Sequence, residues 1–347
     1  MSEIYKEMID REVGSKWFAS ENIEIDGKII PPMAQDNPRR IVLAIIREII
    51  GPFINRSEDP DETISLKIGG NRDVIEIPAR KFKSKEKLLG IRLCKAFNAI
   101  DFDYEYNDVK NSEMLRNPNS ALFGDTLVES GRGNQAMLPS RVLYSSSYSI
   151  RPRIDLTRKL THNALSGQGT MWDRNEGKHR QSLFETEYIV PGAVFPSFIT
   201  LKDPTPELLY HFIMTLRETS YGAQTSITGS NVKNHIVAIL ACDVEPPITS
   251  YTVSEHFSDT YREINSTNVM RTVIDYIDGN FRKYAEETKS KFLDSNKTKD
   301  LINNMASLNE RDVSDIYVRL KKDSELLWDY SGFAKKDENT KGKKGGT

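Results

Sequence analysis

Short apolar runs alternate along this chain with long polar stretches, and their periods change from one segment to the next. Residues 4–18 form a short amphipathic stretch, followed by Ile29-Ile30-Pro31-Pro32 and the polar turn Asp36-Asn37-Pro38. The first 38 residues therefore read as a peripheral arm. Ile41-Val42-Leu43-Ala44-Ile45-Ile46 is a continuous apolar run, the pattern of a strand buried on both faces. A polar loop rich in Asp, Glu, Gly and Pro fills 51–73. A helix is predicted over 84–97, with Ser84 as its N-cap and Leu88, Leu89 and Ile91 on its apolar face. Strands are predicted over 121–128, 141–150 and 183–190. Pro204-Thr205-Pro206 opens a helix whose Leu208, Leu209, Phe212, Ile213 and Leu216 share one face. A Gly-rich turn then precedes a strand over 235–242. This order of strand, helix, strands, helix, strand predicts an α+β fold with a ferredoxin-like or RNA-recognition-motif core. Beyond Pro246-Pro247 the pattern is that of polar helices to about residue 330, and the lysine-rich end, 331–347, reads as disordered.

Composition narrows the picture without changing it. The chain has 347 residues with 38% apolar content, enough for a buried core, and a formal charge of −2. That length suits two domains or one core with large insertions. No run approaches the roughly 18 apolar residues of a membrane span, and the start lacks the apolar stretch of a signal peptide. A cytoplasmic protein without a membrane partner is expected. Cys94 and Cys242 cannot form a disulfide framework or a cysteine-rich zinc site.

Three places could carry chemistry. The first is Arg80-Lys81-Phe82-Lys83-Ser84-Lys85-Glu86-Lys87, where cations crowd a predicted helix start. The helix dipole disfavours cations there unless an anion sits at that terminus. A polyphosphate backbone would be such an anion; a solvated basic face is the competing reading. The second is Tyr221-Gly222-Ala223-Gln224-Thr225-Ser226-Ile227-Thr228-Gly229. Its glycines and hydroxyls would let backbone N–H groups approach phosphate or ribose, although a plain turn needs no function. It lacks the Gly-Lys-Ser/Thr ending of a P-loop. The third is the excursion 155–181, too long for an ordinary connection. Arg151, Arg153, Arg158, Lys159, Arg174, Lys178 and Arg180 surround His162, Met171 and Trp172, as in a finger that tracks a backbone and wedges between bases. A mobile surface loop anchored by its Trp would show the same residues. The five histidines are scattered without metal-site spacing, so no active site assembles from them.

Several of these residues also carry a family resemblance. Val194-Phe195-Pro196-Ser197-Phe198-Ile199-Thr200-Leu201-Lys202-Asp203-Pro204-Thr205, with Tyr221-Gly222-Ala223-Gln224-Thr225 and Thr228-Gly229, resembles the Csc-two family. These are the Cas-seven-type backbone subunits of the type I-D CRISPR Cascade. Arg80-Lys81-Phe82-Lys83 with Leu88-Leu89-Gly90, and Asn117-Pro118-Asn119 through Phe123-Gly124, support the match from about residue 40 to 242. The resemblance implies a palm like an RNA-recognition motif over 39–242, with an inserted loop at 51–77 and a β-hairpin thumb at 155–181. A helical peripheral region would follow over 243–330. It further implies copies stacked along CRISPR RNA, each thumb folding over the guide and exposing segments for a target strand. The RNA-binding residues would then be Arg80, Lys81, Lys83, Ser84, Lys85 and Lys87 on the guide backbone, and Arg158, Lys159, Met171 and Trp172 in the thumb. Gly222, Gln224, Thr225, Ser226, Thr228 and Gly229 would form a second backbone contact. The implied partners are CRISPR RNA, single-stranded target, further copies of the chain and the other Cascade subunits. The zinc-bearing subdomain associated with the family has too few cysteines here.

Two function classes follow. One is a scaffold that binds single-stranded RNA without sequence preference, needs no cofactor, and leaves sequence readout to guide pairing. The other is a metal-dependent endonuclease cutting guide-paired target, with Asp59, Asp61 or Asp73 of the 51–73 loop holding Mg²⁺ or Mn²⁺. A guide-processing ribonuclease using His162 or His179 would lack a partner base.

Overall fold

In this computed structural model, residues 4–19, 21–55, 62–104, 106, 108–128, 135–163, 172–173, 178–179, 183–221, 231–264 and 268–333 are described. The amphipathic start forms α1 (Ile4–Glu12), which buries Tyr5, Met8 and Ile9. A hairpin follows, β1 (Ile23–Ile25) and β2 (Lys28–Ile30). Its turn residues Asp26 and Gly27 have φ of 52° and 74°, the left-handed geometry that a two-residue turn between twisted strands needs. The N-terminal segment therefore divides. Helix α1 belongs to the main hydrophobic cluster, whereas the hairpin pairs only with itself among the described residues.

The predicted central strand is β3 (Arg40–Ile49), buried along most of its length. The 51–73 region is not one polar loop. It contains β4 (Ser65–Ile68), which pairs with β5 (Arg72–Ile77) across Gly69 and Gly70, at φ 58° and 83°. Next, α2 (Ala79–Ala96) starts at Ala79, with Pro78 as its N-cap. Proline's missing N–H and fixed φ suit a helix start, so Ser84 is interior and donates to the Lys81 carbonyl (3.2 Å). The strand predicted over 121–128 begins as a helix, α3 (Pro118–Phe123). Asn117 caps it, accepting from the Ser120 amide (2.8 Å), and Pro118 opens the first turn. Only β6 (Asp125–Val128) is strand there, paired with β7 (Gln135–Leu138). The strand predicted over 141–150 splits into β8 (Val142–Tyr144) and β9 (Ser147–Pro152), which belong to different sheets.

After α4 (Arg153–Leu156) the excursion forms an antiparallel ladder of β10 (Thr157–Asn163) with β13 (Leu183–Ile189). Nested within it, β11 (Trp172–Asp173) pairs with β12 (Lys178–His179). Strand β14 (Val194–Lys202) was not apparent as a strand in the sequence, because Pro196 lies inside it and proline is disfavoured in central strands. Helix α5 (Pro206–Glu218) has Thr205 as its N-cap, and β15 (Val232–Cys242) completes the core. The rest is α6 (Ser250–His256), α7 (Val269–Thr288), β16 (Lys291–Leu293), α8 (Ser295–Ala306) and α9 (Glu310–Tyr330).

The central sheet runs β16-β15-β3-β14-β8, with every neighbouring pair antiparallel. Its two β-α-β halves, β3-α2-β8 and β14-α5-β15, interleave so that each strand pair encloses a strand of the other half. That is the split β-α-β arrangement of a ferredoxin-like core. Alternate residues of β3 serve two cores. Ile41, Leu43 and Ile45 join the cluster built with α1, α2, α5, α8 and α9. Val42, Ala44 and Ile46 join the cluster built with α6 and α7. The sheet is thus covered on both faces.

Candidate nucleic-acid interface

A third, smaller core lies at the Ile49 end of the sheet. Phe82 from α2, Leu156 and Ile189 from the base of the excursion, Tyr221 before the Gly-rich turn, and Val232 at the start of β15 pack there with Ile49, Ile75 and Phe195. Segments far apart in sequence, each singled out for its charge or glycines, therefore meet at one end of the sheet. Hydrophobic packing is what sets their mutual position.

A buried polar network ties the same segments together. The Arg47 guanidinium donates to Glu86 Oε1 (2.7 Å), Tyr221 Oη (3.0 Å) and Asn234 Oδ1 (3.0 Å). Tyr144 and Tyr221 each donate to Glu86, and the Asn234 amide donates to the Leu216 carbonyl (2.8 Å). The Arg47 guanidinium also lies 3.8 Å from the centre of the Phe82 ring. Both Arg47 and Glu86 are fully buried. Burial alone would favour loss of the Arg47 proton, but Glu86 and then Tyr221 outweigh it and hold the pKa above its ordinary value. Burial, reinforced by Glu86, raises Tyr144 and Tyr221. The network is only partly satisfied: its three donated bonds leave from Arg47 Nη1, while Nε and Nη2 are buried without a hydrogen-bond partner among the described residues. It ties Glu86, in the middle of α2, to Tyr221, the last described residue before the Gly-rich segment.

The predicted cations on α2 separate into two kinds. Lys87 is nearly buried and pairs with Asp125 (2.5 Å), donating also to the Gly124 carbonyl (2.8 Å). Asp125 in turn accepts from Tyr104 and Ser120. Lys87 is thus held inside the protein. Lys83 reaches Ser140 Oγ (2.8 Å) at the rim of β8. Partial burial and then Lys87 lower its pKa, as partial burial and then Arg80 lower that of Lys81. Arg80 is exposed, and Lys85 is half-buried. The first turn of α2 carries no acidic residue and no side-chain cap. Its cations crowd a positive helix terminus, a setting that an anion would relieve.

In the excursion, Arg158 and Lys159 are exposed on β10, while Arg153 is held by Glu187 (2.9 Å) and Glu62 (3.3 Å) at its base. Trp172 lies on β11; Met171 is outside the described residues, as are Gly222, Gln224, Thr225, Ser226, Thr228 and Gly229. Asp59 and Asp61 also lie outside them. Asp73 sits in β5 opposite Lys67, in a ladder rather than a loop. Among the described residues no three His, Cys, Asp or Glu side chains gather where they could hold a metal ion. His211 is a buried core residue near Tyr317 Oη (3.0 Å) and Cys94 Sγ (3.7 Å), and burial lowers its pKa to about 4.

Sequence reasoning missed Arg47, Tyr144 and Asn234 and read Glu86 only as an acid within a basic block. The available signal was Arg47 itself, a charge closing an otherwise apolar strand. The Leu88-Leu89-Gly90 and Asn117-Pro118-Asn119 motifs prove to be one packing contact. A Cβ on Gly90 would stand 2.2 Å from Asn119 Oδ1, so α2 and α3 approach closely only with glycine there.

The family described as Csc2 Crispr matches residues 72–318, well over half the chain. The crystal structure of Thermofilum pendens Csc2 superposes with a TM-score of 0.59 at 16% identity, covering 95% of this chain and 98% of that one. A chain of a CRISPR RNA-guided surveillance complex in a pre-nicking state gives a TM-score of 0.46 at 12% identity, covering 71% of this chain and 87% of that one. Another CRISPR RNA-guided surveillance complex gives 0.43 at 10%, covering 72% and 86%. No curated protein matches. The extent of the family match, over a fold shared along nearly the whole of both Csc2 chains, establishes that this chain belongs to the Csc2 CRISPR family.

Proposed function

We propose that the chain is a backbone subunit of a type I-D CRISPR surveillance complex, binding CRISPR RNA through its phosphates and associating with further copies along it. The observation that carries this reading is the convergence of the basic start of α2, the base of the excursion and the edge of the Gly-rich turn on one small core. The closed sheet supports phosphate-led binding. An RNA-recognition motif stacks bases on the open face of its sheet, but here α6 and α7 cover that face. Contacts then fall to the sheet's end, where charge holds a backbone without reading sequence. Guide pairing would supply the sequence selectivity and recruit the single-stranded target. No helix among the described residues is long and apolar enough to cross a membrane, in keeping with assembly in the cytoplasm.

The test is a salt series with unrelated single-stranded RNAs. The reading expects similar affinity for each sequence and a log–log salt slope near −0.7 for every phosphate neutralised. Salt-independent affinity, or strong preference for one sequence, would contradict it.

A further inference from the structure

The hairpin of β1 and β2 is an apolar projection that no layer covers among the described residues. Ile23, Ile25 and Ile29 are 38%, 51% and 65% exposed. Register places Ile23, Ile25, Lys28 and Ile30 on one face and Glu24 with Ile29 on the other. A two-stranded hairpin is marginal in water without another layer against it. Exposed isoleucines on a free strand edge are also a hazard that proteins normally cover or charge.

At the other end of the sheet lies a slot of matching form. Strand β16 pairs with β15 only at Ile239, Leu240 and Ala241. Among the described residues, no strand pairs with the outer edge of β15 from Val232 to Ile236. The space beside that edge is a cavity of about 410 Å³ between α7 and α8, lined in part by Arg217, Ile236, Met270, Ile274, Lys299 and Ile302. Met270 and Ile274 pack with the core on one sheet face, and Ile302 with the core on the other. An added strand would thus be sandwiched as β16 is.

We infer that the β1–β2 hairpin of one copy adds to the open edge of β15 in the next copy. Its Ile23 and Ile25 face lies on Met270 and Ile274, and its Glu24 and Ile29 face lies on Lys299 and Ile302. Charge favours this occupant. The hairpin carries Glu24 and Asp26 against a single Lys28, while the slot offers Lys299 and Arg217, the latter also paired with Glu218 (3.3 Å). Strand addition supplies main-chain hydrogen bonds, and alternate side chains supply selectivity.

Geometry points to a second copy rather than to the chain's own slot. The hairpin base is held at the start of α5, where the Ala19 amide donates to the Pro204 carbonyl (2.9 Å) and Gln35 to the Glu21 carbonyl (2.7 Å). Arg217 lies in the last turn of α5, about 17 Å away along the helix axis. A projection at one end and a slot at the other make a heterologous, head-to-tail contact, which repeats along an open array.

This inference rests on the self-assembly part of the proposed function, and its test separates the two. Full-length Ile25→Cys chain is mixed with full-length Lys299→Cys chain and treated with a short bis-maleimide, with and without a single-stranded RNA long enough for two copies. Cys94 and Cys242 are buried and leave the engineered thiols to react. A linked heterodimer is expected in at least one of the two conditions. Its yield should be about tenfold above that with Val318→Cys, an exposed position on α9, in place of Lys299→Cys. Adding Glu24→Lys to the hairpin chain should lower the yield, and Arg217→Glu in the slot chain should restore it. Absence of the heterodimer in both conditions, or a yield equal to the Val318→Cys control, overturns the inference. RNA affinity of the same chains, measured by anisotropy, shows independently whether the RNA-binding reading stands.

Discussion

The two ends of the central sheet hold similar residues in opposite settings. At the Arg40 end the arginines are turned inward to satisfy the protein's own carbonyls. Arg39 donates to the Phe18 carbonyl (2.9 Å), Arg40 to that of Asn37 (3.0 Å), and Arg141 to those of Asp203 and Met33. Asp203 sits among them, 3.9 Å from Arg40, and accepts from the Asn37 amide (2.9 Å). At the Ile49 end the buried charge belongs to Arg47 and Glu86, and the cations outside that network stand on the first turn of α2 and on β10. Charge that closes loops cannot also hold a phosphate. Where a cation's neighbours are placed, rather than how many cations a segment has, separates a structural end from the proposed binding end.

Breaking the Arg47–Glu86 pair should give the largest effect. Glu86→Ala would leave Arg47 buried without its carboxylate, at a loss of about 3–5 kcal/mol, whereas an apolar pair such as Arg47→Met with Glu86→Leu should recover only part of it, since the Tyr144 and Tyr221 hydroxyls then lose their carboxylate acceptor. Denaturant melts of the single and double variants check this. Equal losses in both would mean that packing, not the uncompensated charge, dominates.

His211 gives the next effect and a pH dependence. Its folded pKa of about 4 lies below the ordinary 6.5, so only the unfolded chain takes up the proton between those values. Stability therefore falls as pH drops from 6.5 toward 4, by about 3 kcal/mol in total. Asp323, whose pKa burial raises to about 6, acts in the opposite sense between pH 4 and 6. Comparing wild type with His211→Gln cancels that contribution. The stability difference between them should move in favour of the variant as pH falls, and a pH-independent difference would contradict the assignment.

Lys87 and Lys81 sharpen the comparison within one helix. Lys87→Met removes the buried partner of Asp125 and should reduce stability by about 1–3 kcal/mol, with the RNA salt slope unchanged. Lys81→Ala or Arg158→Ala should leave the melting curve nearly unchanged and make the salt slope shallower by about 0.7 each, equally for all sequences. Reversal of these two patterns would exchange the structural and binding roles assigned here.

Much of this was legible in the sequence wherever a pattern had one physical meaning. The apolar run before Arg47 could only be a buried strand, and Thr205-Pro206 before an amphipathic segment could only open a helix. The start of α2 was not legible, because Ser84 looks like a cap while the actual start depends on Pro78. Strand β14 was hidden by Pro196, which pairs with Ile46 of β3 on one side and lies beyond the β8 ladder on the other. The proposed binding end was legible as three separate cues, but not as one place. Only the tertiary contacts among Phe82, Leu156, Ile189 and Tyr221 bring them together. The division of Lys87 from its neighbours was equally invisible, since it depends on Asp125, which reaches it from another element.

In the proposed function, nucleic acid lies at the Ile49 end of the sheet. The most direct measurement is photocrosslinking of the full chain to single-stranded RNA carrying 4-thiouridine, followed by peptide mapping. Crosslinked peptides are expected from the start of α2, from the β10–β13 excursion and from the segment between α5 and β15. Crosslinks confined to the Arg40 end, around Phe18, Arg39 and Arg141, would contradict that placement.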